Sequence, residues 1–163
     1  MSIFSVENDS TGNQVSSLEE KILYVTRAYA TSLALIYGTP LNLTRPHNEM
    51  MMVKENYGQS KGKGFFHYIL SPENTDECSA ESLFQVGCKI AEVIRYFDGY
   101  FQVLMAVHQD SAHLHAHFIV NNIDYTDGHR MDLNMCRLIS LKQRISEILV
   151  QEGISPIRMS SFD

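Results

Sequence analysis

Residues 100–123 read YFQVLMAVH, QDSA, HLHAHFIVNNI in succession, and this stretch decides the fold. YFQVLMAVH (100–108) has the β-branched and aromatic content of a buried strand. QDSA (109–112) is a short turn, and HLHAHFIVNNI (113–123) reads as a second strand. Parallel strands need a crossover of roughly a dozen residues. A four-residue turn therefore forces an antiparallel hairpin, and the chain falls in the α+β class, as a single antiparallel β-sheet with helices packed on it. Side chains alternate across a strand, so His113, His115 and His117 share one face while Leu114, Ala116 and Phe118 share the other. The simplest register sets His108 opposite His113, which brings four imidazoles together on one face.

The remaining elements are read outward from this hairpin. Phe65–Ser71 (FFHYILS) is a strand, and SLALIYG (32–38) reads as a buried strand stopped by Gly38 and Pro40. Ile3, Phe4 and Val6 suggest a short strand within a loosely ordered segment over residues 1–15. Ser79 opens the clearest helix, with Leu83, Gly87, Ile90, Ile94 and Phe97 on one face and Asp98-Gly99 as its stop. A helix from Leu18 to Tyr29 is expected behind a Ser17 cap, with Glu19 and Glu20 in its first turn. Another is expected from Arg45 to Tyr57, capped by Thr44 and ended by Gly58. Asn134 caps a last helix bearing Leu138, Leu141, Ile145, Ile148 and Leu149, and Gly153 ends it. RMDL (130–133) and SPIRM (155–159) are expected as brief edge strands. The expected organisation is one domain over residues 1–163.

Composition bounds the function. The chain has 163 residues, 44% hydrophobic and 20% charged, too short for a (β/α)₈ barrel. No long apolar run predicts a membrane span, and MSIFSVENDSTGNQ lacks the form of a secretory signal. Cys78, Cys88 and Cys136 are odd in number and widely spaced, which points to free thiols and a cytoplasmic setting. A net charge of −6 argues against a generic basic coat for nucleic acid, though not against gripping a short stretch through a metal.

Seven histidines are present, and His108, His113, His115 and His117 fall within ten residues. Protonated, such rings repel; neutral and buried, they need partners. A divalent cation resolves both problems, because neutral imidazole is a good ligand. Three of the four can share one ion with positions left for substrate, and Asp110 could orient a ring from behind. His47, His67 and His129 read as structural, the Met50-Met51-Met52 run as helix packing, and Lys61 and Lys63 as solvated.

The stretch VHQDSAHLHAHFIVNNIDYTDGHRM (107–131) resembles the third motif of conjugative relaxases, the mobilisation nucleases of plasmids and integrative elements. The matching positions are His108, Asp110, His113, His115, His117, Phe118-Ile119-Val120, Asn121 and Gly128. FFHYILSP, EEKILYVTRAYATSLALIYGTPLN and LISLKQRISEILVQEGIS resemble, in turn, the strand before the long helix, the nucleophile segment and the closing helix of that family. The resemblance implies a relaxase-like endonuclease fold with a His-hydrophobic-His metal motif. It implies nicking of one strand at an origin of transfer, single-stranded or hairpin, by a tyrosine that stays attached as a 5′-phosphotyrosine. It implies His108, His115 and His117 as metal ligands, with His113 a neighbour of the ion, and Mg²⁺, Mn²⁺ or another transition ion as cofactor. By position Tyr24 is the nucleophile, Tyr29 the reserve and Tyr37 third, and Asp110 or a histidine takes the phenolic proton. Accessory relaxosome proteins are the implied partners, with no membrane.

Two other readings stay open on sequence alone. HLHAHFI also satisfies the signature of histidine-triad nucleotide hydrolases, in which His115 would attack a nucleoside phosphate without metal. A degenerate relaxase-like module could bind origin DNA and never cut it.

Overall fold

A computed structural model of the protein describes residues 1–7, 10–11, 14–15, 18–61, 64–73 and 78–159. In chain order the elements begin with β1 (Ile3–Val6), a two-stranded ribbon of β2 (Ser10–Thr11) and β3 (Gln14–Val15), and α1 (Leu18–Val25). A 3-10 turn over Leu33–Leu35 leads into β4 (Ile36–Thr39), then α2 (Pro46–Asn56), β5 (Phe65–Ser71) and α3 (Ala80–Arg95). The chain continues through β6 (Val103–His108), β7 (His115–Asn121) and α4 (Met135–Gln151). Five strands form one sheet in the order β1-β5-β7-β6-β4, and every pairing is antiparallel. The α+β expectation holds. No helix among the described residues is long and apolar enough to cross a membrane.

Alternation along β6 and β7 divides the work between the sheet's two faces. Tyr68, Leu70, Val103, Met105, Val107, Ala116, Phe118 and Val120 lie on the face covered by α3 and α4, in the larger core. The long α3 packs close because Gly87 faces Met105: a Cβ there would lie 2.9 Å from Met105 Cε. Both long helices start as their sequences indicate. Ser79 Oγ accepts from Ser82 N–H at 3.1 Å, and Asn134 Oδ1 accepts from Arg137 N–H at 3.0 Å. On the other face a smaller cluster of Leu18, Ile22, Val25, Met50, Phe65, Leu104 and Ile119 seats α1 and α2. Lys54 is buried on that side; its ammonium donates to Gly64 O and, at 3.0 Å, to Asn122 Oδ1. Burial, with Arg130 nearby, lowers its pKa to about 8.

Several expectations need correction. His108 pairs with His115, not His113, because the connection runs from Gln109 to Leu114 and is held away from the ladder. Gln109 N–H donates to Ala30 O at 2.8 Å, and Asp110 is drawn to Arg27. Leu33–Leu35 is not strand but a 3-10 turn behind Ser32, so β4 begins only at Ile36. Helix α1 stops at Val25 rather than Tyr29. Helix α2 begins at Pro46 with Arg45 at the cap position and no side-chain cap, so Thr44 does not play that role. Arg130 makes only a bridge to Ile123, and Ile157 only a parallel bridge to Ser2. The expectations placed on Ser17 and Lys63 fall outside the described residues.

Phe118 is fully buried at the centre of the larger core, opposite Met105 and Tyr68. Replacing it with alanine removes transfer energy and leaves a cavity, so Phe118→Ala is expected to lower unfolding free energy by about 3–5 kcal/mol in urea titration.

Candidate metal centre

The site forms where the C-terminal end of β6 meets the N-terminal end of β7, on the face carrying α1. The pairing His108↔His115 and Ala106↔His117 puts all three imidazoles on one side. Ring centroids are 4.0 Å apart for His108 and His117, 4.8 Å for His115 and His117, and 5.1 Å for His108 and His115. One ring nitrogen from each lies within 4.8 Å of the others. The side chain of His113 is exposed and outside this group, so three imidazoles converge rather than four.

Each ring is held by its other nitrogen, and the two contacts to backbone carbonyls fix the tautomers of His108 and His115. His108 Nε2–H donates to Val25 O at 2.7 Å, a carbonyl in the last turn of α1 that has no helical partner. That leaves Nδ1 of His108 as a lone pair, buried and without a hydrogen-bond partner. His115 Nδ1–H donates to His113 O at 3.0 Å, which leaves Nε2. His117 Nδ1 lies 2.7 Å from His67 Nε2, and Nε2 of His117 is buried without a partner. Orphaned imidazole nitrogens in a dry pocket are costly unless something fills them. Three neutral nitrogens converging from rings whose other nitrogens are engaged fit a divalent cation of the kind imidazole favours.

His67, which the sequence reads as structural, stands behind the site. Its strand pairs with β7 so that His67 stands opposite Ile119, one alternation from His117 on the same face. Pairing β5 against β7 in sequence would have found it. Arg27 was missed, and no pattern marks it. Its guanidinium donates to Asp110 Oδ2 at 2.7 Å and to Tyr24 O at 2.6 Å, with Cζ 4.1 Å from the centre of the Tyr24 ring. Burial alone would raise the pKa of Asp110, yet its hydrogen bond from Arg27 holds the carboxyl below its usual range.

The three tyrosines differ sharply in placement. Tyr24 is 47% exposed, and its ring centre lies 6.1 Å from those of both His108 and His117. Tyr29 is 77% exposed and stacks beneath Arg27. Tyr37 lies on the opposite face of the sheet, opposite Met105 in register, where its hydroxyl donates to Glu92 Oε1 at 2.6 Å. A second group, Asp124, Asp127 and His129, could also offer metal ligands. The Asp124 carboxylate already accepts from Tyr100 N–H, Thr126 N–H and the Thr126 hydroxyl, so it serves to lock two turns together.

Burial, with His108, His67 and His115 close by, pushes the pKa of His117 down to about 2, and burial lowers that of His108 too. The unfolded histidine takes up its proton near pH 6.5. Below that value the unfolded chain binds protons that the folded site refuses, so stability falls with acid between pH 6.5 and about 2. In EDTA, melting temperature is expected to drop from pH 7 to pH 5, and His117→Asn to flatten that slope. Parallel slopes in the two proteins would refute the neutral, buried assignment.

Comparison with known proteins agrees with this geometry. The family described as "Relaxase: MobA/VirD2-like, nuclease domain" matches residues 24–154. Protein rlx of Staphylococcus aureus is 29% identical over 102 residues, a stretch covering 63% of this chain and 30% of that protein. The family match separates the relaxase reading from the histidine-triad one, which HLHAHFI alone could not do. The chain belongs to the MobA/VirD2-like relaxase family, a family of metal-dependent nucleases, and corresponds to its nuclease domain.

Proposed function

We propose that the chain nicks one strand of an origin of transfer, single-stranded or hairpin, with Tyr24 as nucleophile. The observation that carries this reading is the half-exposed Tyr24 ring 6.1 Å from two of the three clustered imidazoles. The Tyr24 hydroxyl oxygen attacks the scissile phosphorus, the bond from phosphorus to the 3′-oxygen breaks, and the departing oxygen takes a proton from water, giving a 5′-phosphotyrosine and a 3′-hydroxyl. Asp110, kept ionised by Arg27, is the acceptor assigned to the phenolic proton as the new bond forms. Nδ1 of His108 and Nε2 of His115 and His117 would hold a divalent ion, Mg²⁺ or Mn²⁺ by availability or another transition ion by affinity. Such an ion, when bound, draws charge from the phosphoryl oxygens and orients the phosphate. With a net charge of −6, the domain grips few phosphates, and accessory relaxosome proteins supply further contact with the origin.

Denaturing gels of an origin oligonucleotide incubated with Mn²⁺ test the proposal. Wild type and Tyr29→Phe are expected to give a covalent protein–DNA adduct, whereas Tyr24→Phe and EDTA-treated wild type are expected to give none. Origin binding without cleavage by the wild type would leave a DNA-binding module instead. His67→Gln removes the partner of His117 and is expected to weaken Mn²⁺ or Co²⁺ binding about 10–100-fold in calorimetric titration.

A further inference from the structure

We infer that Arg27 is a positioning residue that fixes the Tyr24 ring against the β6–β7 turn and makes no contact with DNA phosphate. This rests on the assignment of Tyr24 as nucleophile. Arg27 follows the end of α1, and its side chain is only 17% exposed. Nη1 donates to Tyr24 O at 2.6 Å, capping a carbonyl that the end of the helix leaves open. Nη2 donates to Asp110 Oδ2 at 2.7 Å, on the turn between the histidine-bearing strands. Its guanidinium carbon stands 4.1 Å from the centre of the Tyr24 ring and 4.8 Å from that of Tyr29. Nε is buried without a partner, so it too is withheld from solvent.

The backbone of Arg27 repeats the connection. Its carbonyl accepts from Ala30 N–H at 3.1 Å, and Ala30 O accepts from Gln109 N–H at 2.8 Å. The segment after α1 thus meets the β6–β7 turn at two points, Arg27 with Asp110 and Ala30 with Gln109. An arginine beside a phosphate-handling site is ordinarily read as a phosphate clamp. Here the fork is spent on a backbone carbonyl and a carboxylate while its face covers a tyrosine, and an exposed ring without that cover would sample several rotamers. Lysine offers a point charge and cannot hold all three contacts at once.

The test compares wild type, Arg27→Lys and Arg27→Gln, using a labelled single-stranded origin oligonucleotide and Mn²⁺. Single-turnover nicking at saturating DNA is expected to fall about 100-fold in both variants, the scale of an ångström of misplacement, while the DNA dissociation constant stays within two-fold of wild type. A raised dissociation constant with an unchanged saturating rate would make Arg27 a phosphate contact and overturn the inference. Tyrosine ¹³Cζ NMR, with the Tyr24 signal assigned through Tyr24→Phe, gives a second reading that needs no cleavage. The Tyr24 resonance is expected to move in Arg27→Gln and to stay in place in Arg144→Gln, on α4 across the sheet, where the guanidinium covers Phe97; no movement in Arg27→Gln also overturns the inference. Should Tyr24→Phe still form the covalent adduct, the nucleophile assignment fails while the NMR reading of Arg27 stands.

Discussion

The hydrogen bond from His108 Nε2 to the Val25 carbonyl organises this molecule's candidate site. An α-helix of eight residues leaves its last carbonyls without partners, and water or a side chain must take them. Here side chains at the site take two of them: His108 takes Val25 and Arg27 takes Tyr24. The same bond selects the His108 tautomer and leaves Nδ1 as the free nitrogen. Without it, α1 would lose its direct tie to the histidine strands, and His108 could turn either nitrogen inward.

The sheet supplies stiffness where that bond begins. β6 and β7 are interior strands, each paired on both sides, so the histidine backbones cannot drift apart. One face of these strands carries the larger core under α3 and α4, and the other carries the imidazoles. Alternation lets both duties share a stretch as short as His115–Asn121 without conflict. Phe118 contributes to stability and His117 to the site, though they are neighbours in sequence.

Much of this was legible in the sequence because it depends on local rules. The short connection gave the hairpin and its antiparallel sense, and period-two alternation gave the shared face of His115 and His117. The apolar spacing from Leu83 to Ile94 gave α3, and Ser79 and Asn134 marked helix starts that the structure repeats. What failed depends on distant partners. The register shifted by two residues because the turn is tethered by Ala30 and Arg27, far away in sequence. That shift removed His113 from the group, and the pairing of β5 with β7 set His67 behind His117. Leu33–Leu35 has strand composition, yet it turns as 3-10 helix on the way into β4. Local propensity does not carry such information.

Seating a ring and a helix end on one hydrogen bond makes the two reciprocal. Whatever strengthens His108 as a donor, including positive charge drawn to its other nitrogen, also tightens the hold on the last turn of α1. By thermodynamic linkage, a pull that lifts that turn must weaken the grip at the imidazole by the same free energy. Tyr24 lies one residue before the shared carbonyl, so mechanical load on its side chain is transmitted to the histidine cluster through a single peptide unit.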